Sequence, residues 1–81
     1  MMVKIRFFAR LRDVVGAPEL VRAVSAGATV ATVWQQIVAE YPEAAAVRTA
    51  LAVAVNAEFA RFSTPVCEGD EVAFLPPVSG G

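Results

Sequence analysis

The chain contains no histidine, and that single absence removes most familiar side-chain chemistry. Without an imidazole there is no Cys–His or Ser–His nucleophile pair, and most metal sites lose their usual ligand. There is one cysteine, Cys67, so no intrachain disulfide can form and a reducing compartment is acceptable. Positive charge is not in excess: seven basic against eight acidic side chains leave a net charge of −1. The basic residues are scattered from Lys4 to Arg61, with a mild cluster at Arg6, Arg10 and Arg12. A nucleic-acid partner calls for a basic stripe, so none is expected. No apolar run approaches the roughly 18 residues that cross a bilayer. Met1-Met2-Val3-Lys4 enters a strand pattern directly, without a signal-peptide layout. The expected location is the cytoplasm, away from membranes.

What the chain does have is apolar surface. Hydrophobic residues make up 57% of 81 positions and charged residues 19%. So short a chain forms one domain, spanning 1–81, and buries only roughly 60–65% of its unfolded surface. A composition this apolar leaves hydrophobic surface over for a partner.

Periodicity locates the elements. Val3, Ile5 and Phe7 alternate with Lys4, Arg6 and Phe8 as in a half-buried strand, which puts Phe8 on the polar face. Leu11, Val14 and Val15 follow at helical spacing, with Gly16 placed as a helix stop. Pro18 opens a second strand, ELVRAVS. Thr29 is a helix N-cap candidate. After it, Val30, Val33, Trp34, Ile37, Val38 and Tyr41 form the one long amphipathic stripe, which Pro42 ends. Residues 43–50 suit a further helical turn. LAVAVN, FARF and EVAFL then read as three short strands. The order predicts an α+β fold, one sheet with one main helix packed across it.

Pro76-Pro77 halts the last strand and leaves Val78-Ser79-Gly80-Gly81 as an expected flexible tail, residues 76–81 in all. Gly-Gly has no side chains and can thread a channel that larger residues would block. From Pro76 to Gly80 an extended chain reaches roughly 15–18 Å at about 3.3 Å per residue, enough to enter a neighbour's active site.

The opening FFARLRDVVG and the closing CEGDEVAFLPPVSGG, with the length between them, resemble the small subunit of molybdopterin synthase along the whole chain. The Phe-Phe-Ala start and the Pro-Pro-Val before the tail favour this branch over thiamine-type carriers. The resemblance implies a ubiquitin-like β-grasp fold with a single mixed sheet, and a cycle of chemistry at Gly81. A ubiquitin-activator-like adenylyltransferase uses ATP to adenylate the Gly81 carboxylate. A sulfur donor enzyme then supplies sulfur from a persulfide, leaving a thiocarboxylate, a covalent 1-thioglycine. The large synthase subunit accepts that group and passes its sulfur to cyclic pyranopterin monophosphate during molybdenum cofactor biosynthesis. On this reading the chain binds no cofactor of its own, is not an enzyme by itself, and works in a heterotetramer. Gly80 is needed for tail threading.

Phe8 on the wrong face of its strand has two counterparts. Leu75 shares parity with Ala73 instead of Val72 and Phe74, and Phe59 and Phe62 fall on opposite faces of FARF. One leftover apolar residue on each of three strands suggests one exposed patch. The family's docking surface falls on positions matching Phe8, Arg12, Phe59 and Leu75. Trp34 reads as packing and Cys67 as a small buried apolar residue. Glu68, Asp70 and Glu71 surround a glycine turn and read as a solvated loop, not a metal cluster. A carrier for thiazole or cysteine synthesis, a ubiquitin-like protein modifier, and a binding module with an inert tail remain as other readings.

Overall fold

Strict alternation turns Val3, Ile5 and Phe7 of β1 (Met2–Phe7) inward until none is more than 1% exposed. The computed structural model describes residues 1–77; the sites expected at Gly80 and Gly81 lie outside the described residues. A six-residue helix, α1 (Arg10–Val15), ends on Gly16 in the left-handed region at φ 82°, where its amide donates to the Arg12 carbonyl at 2.8 Å. Next come β2 (Glu19–Ala23), the main helix α2 (Val30–Glu40) and a 3-10 turn, Pro42–Val47. β3 (Ala52–Val55), β4 (Glu58–Ala60) and β5 (Glu71–Leu75) complete the fold.

The five strands form one mixed sheet in the order β2-β1-β5-β3-β4. β1 and β5 run parallel at its centre and every other pairing is antiparallel. Parallel neighbours need a long crossover, and α2 lies within it. Thr29 caps α2 reciprocally with Thr32: each hydroxyl accepts the other residue's amide, at 3.4 and 3.1 Å. The amides of Val30 and Ala31 donate to the carbonyls of Thr64 and Phe62, both at 2.9 Å, so the loop after β4 closes the same helix end.

The core lies between α2 and the inner face of the sheet. Val30, Val33, Trp34 and Ile37 are buried, as the stripe predicts, with Val38 and Tyr41 half-buried at its edge. Trp34 meets Phe74 at 5.0 Å between ring centroids, tilted by 57°. Among the described residues no polar or charged side chain is fully buried.

Four expectations need correction. β1 stops at Phe7, because Ala9 adopts φ 52° and ψ −130° and turns the chain into α1. β4 stops at Ala60; Phe62 leaves the sheet to pack against the core, with the Arg48 guanidinium 3.8 Å above its ring. Cys67 is exposed, since it stands in an irregular turn whose inward position belongs to Val66. Pro76 is buried, so the packed domain runs past Leu75 and into what was expected to be tail.

Candidate docking and carrier site

The outer face of the sheet carries the site, and strand register assembles it. Phe59 stands opposite Ala54, Ala54 opposite Ala73, and Ala73 opposite Arg6, which makes one row across β4, β3, β5 and β1. The two middle positions are alanines, so the row dips at its centre. Leu75 lies one step further along β5, opposite Ala52. Phe8 arrives from the end of β1.

The result is a shallow hollow of about 240 Å³. Phe8, Phe59 and Leu75 wall it, and Ala54, Ala57 and Ala73 form its floor. Phe59 is 85% exposed, the largest such value among the large apolar side chains described, whereas Phe8 and Leu75 are half-buried. Arg6 and Glu71 supply one polar edge, 3.3 Å apart, with the Arg6 guanidinium carbon 5.4 Å from the Phe8 ring centroid. An apolar hollow with one charged edge is suited to receive a protein side chain.

Three of the four expected docking residues therefore come together. Arg12 does not: it is exposed on α1 and does not line the hollow. The parity of Phe8 and Leu75 was visible in the sequence, which left Phe59 and Phe62 as alternatives for the third position, while Arg6, Glu71 and the alanine floor were not singled out as docking residues. Their signal was small residues on the outward parity of β3 and β5, where polar residues usually stand.

A second, wider hollow of about 540 Å³ opens where the chain leaves the sheet, bordered by Ala9, Arg10, Asp13, Pro76 and Pro77 among others. The acidic turn is occupied structurally. Asp70 accepts the Cys67 amide at 2.7 Å and the Asn56 carboxamide at 2.9 Å. Among the described residues no group of three or more Cys, Asp or Glu side chains is placed to hold a metal ion. No helix among them is long and apolar enough to cross a membrane.

The profile of the ThiS family matches residues 5–81. The chain belongs to the ThiS family. This ThiS-family chain is 38% identical, over 99% of its length and all of the relative's, to the molybdopterin synthase sulfur carrier subunit of Escherichia coli K12. To the subunit of the same name in Arabidopsis thaliana it is 34% identical, over 98% of this chain and 82% of that one. Among solved structures it superimposes on small archaeal modifier protein 1 of Haloferax volcanii with a TM-score of 0.90, at 29% identity and complete coverage of both chains. A complex of subunits 1 and 2 of the molybdopterin-converting factor from Helicobacter pylori contains a chain matched at a TM-score of 0.70 and 26% identity, again complete for both. The ThiS-family fold seen here is thus the ubiquitin-like β-grasp, with the mixed sheet and crossing helix expected from the sequence.

Proposed function

We propose that this chain is the sulfur carrier subunit of a molybdopterin synthase, with Gly81 as the residue that carries the sulfur. The observation that carries the reading is similarity along the whole chain to sulfur carrier subunits of that enzyme, within a family match that includes Gly81. In the proposed cycle the Gly81 carboxylate attacks the α-phosphorus of ATP, giving an acyl adenylate and releasing pyrophosphate. The adenylate is needed because a free carboxylate has no adequate leaving group. A persulfide sulfur displaces AMP, and reduction of the resulting acyl disulfide by a thiol leaves the thiocarboxylate. Sulfur then passes to the pterin precursor on the large subunit, and water restores the carboxylate.

The hollow between Phe8, Phe59 and Leu75 is the proposed seat for the large subunit, and for the activating enzyme at another stage of the cycle. The complex containing the Helicobacter pylori relative supports a partner of this kind. Arg12 remains a proposed contact outside the hollow. The chain itself contributes the reagent, and the acid–base groups come from the large subunit.

The test is the mass of the purified chain after incubation with ATP, its activating enzyme and a sulfur source. The expected change is one oxygen replaced by sulfur, confined to the C-terminal peptide. An unchanged mass with a competent activating enzyme would sink the reading. So would sulfur appearing only on Cys67, which is exposed and therefore a genuine competitor.

The likeness to a small archaeal modifier protein favours a second reading, in which Gly81 ends in an isopeptide bond to a lysine of another protein. That reading requires a ladder of conjugates in cell extract, linked through Gly81. The carrier reading requires co-purification with a large subunit.

A further inference from the structure

Arg6 is the one cation on the rim of the docking hollow, and its hydrogen-bonding capacity is poorly used. It stands on the outward face of β1, opposite Ala73 on one side and Glu19 on the other. A guanidinium offers a fork of N–H donors. Among the described residues only Nη1 finds an acceptor, Glu71 Oε1 at 3.3 Å. That contact is longer than the about 2.7–2.9 Å of an ordinary charge-assisted bond. The Nε–H is buried without a partner, alone among the buried side-chain polar atoms described.

The orphan is a donor; no buried acceptor side chain shares its condition among the described residues. The charges nearby have the same sense. Between Arg6 and Gly16 the chain places Arg6, Arg10 and Arg12 against Asp13, and Glu71 adds one more carboxylate at the rim. Lys4 is engaged further back, 3.7 Å from Glu19. The rim where β1 passes into α1 is therefore positive, although the whole chain is nearly neutral.

In the free chain the Arg6 side chain is 44% exposed, so water serves its terminal nitrogens. Docking removes that water, because an apolar side chain seated between Phe8, Phe59 and Leu75 lies against Arg6. A cation so covered, with one long contact to Glu71, is costly unless the partner brings an acceptor. We propose that Arg6 is a specificity-determining residue of the docking hollow: it receives a carboxylate that the large subunit presents beside the apolar side chain filling the hollow. A carboxylate matches the planar fork with two parallel bonds, and the positive rim favours it over a neutral carbonyl oxygen. A partner with an apolar or basic residue at that place would leave the guanidinium covered and unpaired, and would be rejected. This rests on the docking reading above and adds the chemistry of the partner.

The experiment measures the affinity of the full chain for purified molybdopterin synthase large subunit at low and at high salt. Arg6→Gln, Arg6→Lys, Glu71→Gln and Phe59→Ala are compared with the parent, each after its thermal midpoint is found close to the parent's, as exposed side chains allow. At low salt Arg6→Gln should bind about thirty-fold more weakly or worse, as for one half of a covered charge pair. Its salt dependence should also be smaller than the parent's. Arg6→Lys should restore the salt dependence but only part of the affinity, because an ammonium cannot make the paired bonds. Glu71→Gln should bind at least as tightly as the parent, since its carboxylate no longer competes for the guanidinium. The inference is overturned if Arg6→Gln binds like the parent, or if it weakens with an unchanged salt dependence. A loss in Glu71→Gln equal to that in Arg6→Gln overturns it too. Phe59→Ala reports on the hollow itself. If it loses affinity while Arg6→Gln does not, the docking reading stands and the carboxylate alone fails. If the parent does not bind, or Phe59→Ala binds like it, the docking reading fails and takes this inference with it.

Discussion

Arg22 on β2 clasps Glu40, the last residue of α2, through three contacts of 3.1, 3.0 and 2.8 Å. A carboxylate at a helix C-terminus faces the negative end of the helix dipole, so Glu40 needs this partner. The Arg22 hydrogen bond holds the Glu40 carboxyl below its usual range, with partial burial working the other way. It also raises the Arg22 guanidinium.

The first prediction follows from the sign of that shift. A carboxyl whose folded pKa is depressed stabilises the fold above its unfolded value of about 4.3 and stops doing so as pH falls through the folded value. Glu40→Gln should therefore lower stability at pH 7 and leave it nearly unchanged once the parent carboxyl is protonated, well below pH 4. Both side chains are about a third exposed (29% and 34%), so solvent screening keeps the effect small. At most about 1 kcal/mol is expected. Denaturant titrations of the two proteins across that range measure it; a difference that grows on acidification contradicts the assignment.

The second prediction concerns the core. Ile37 is 0% exposed beneath the sheet. Ile37→Ala should cost about 2–5 kcal/mol through lost burial and the cavity left behind. Against a total of about 5–15 kcal/mol, a chain this small would come close to unfolding. Equilibrium unfolding in urea measures the loss.

The docking hollow gives the third prediction, and its residues are not equivalent. Phe59→Asp should change stability by no more than about 0.5 kcal/mol, because the ring packs against little. Its effect on large-subunit binding should exceed about 2 kcal/mol, as for an anchor at an interface centre. Leu75→Asp and Phe8→Asp should lose binding comparably but also some stability, since both side chains are half-buried. Arg12→Ala, outside the hollow, should weaken binding less than any of these. Calorimetry on the separated proteins ranks the four.

Elements with one buried face were readable in the sequence. Alternation in β1 and β5 and the stripe of α2 gave those elements to within a residue or two, and parity alone marked Phe8, Leu75 and one of Phe59 and Phe62 as surplus. That Phe8, Phe59 and Leu75 meet in one hollow depends on β5 lying between β1 and β3, a pairing between distant segments that no local pattern encodes. Arg12 stands apart from them because α1 leaves β1 through the unusual backbone of Ala9, and alanine gives no sequence signal for a positive φ. The same silence covers Ala57, where Asn-Gly would have announced the turn and Asn-Ala does not. Cys67 lies outside any regular element, so no periodicity was available to decide its exposure.

The last prediction concerns Gly81, on which the proposed chemistry depends. Among the described residues the buried core runs from Val3 to Phe74 and Pro76, and a terminal residue beyond a proline pair is expected to add little to it. Deleting Gly81 should therefore leave the thermal midpoint and the spectrum of the folded chain unchanged. Sulfur transfer should nevertheless be abolished, because the acyl group would sit one residue short in both partner active sites. Adding one residue after Gly81 should be equally damaging, since the group to be activated is then displaced and chemically different. Replacing Gly80 with a bulky residue should slow both activation and transfer, through obstruction and a narrower choice of backbone angles. Large-subunit binding should survive all three changes to a first approximation, because the hollow between Phe8, Phe59 and Leu75 is untouched. Measuring affinity and molybdopterin formation on the same preparations separates the two roles. If the deletion variant still transfers sulfur at the parent rate, the carrier group lies elsewhere and the assignment to Gly81 is wrong.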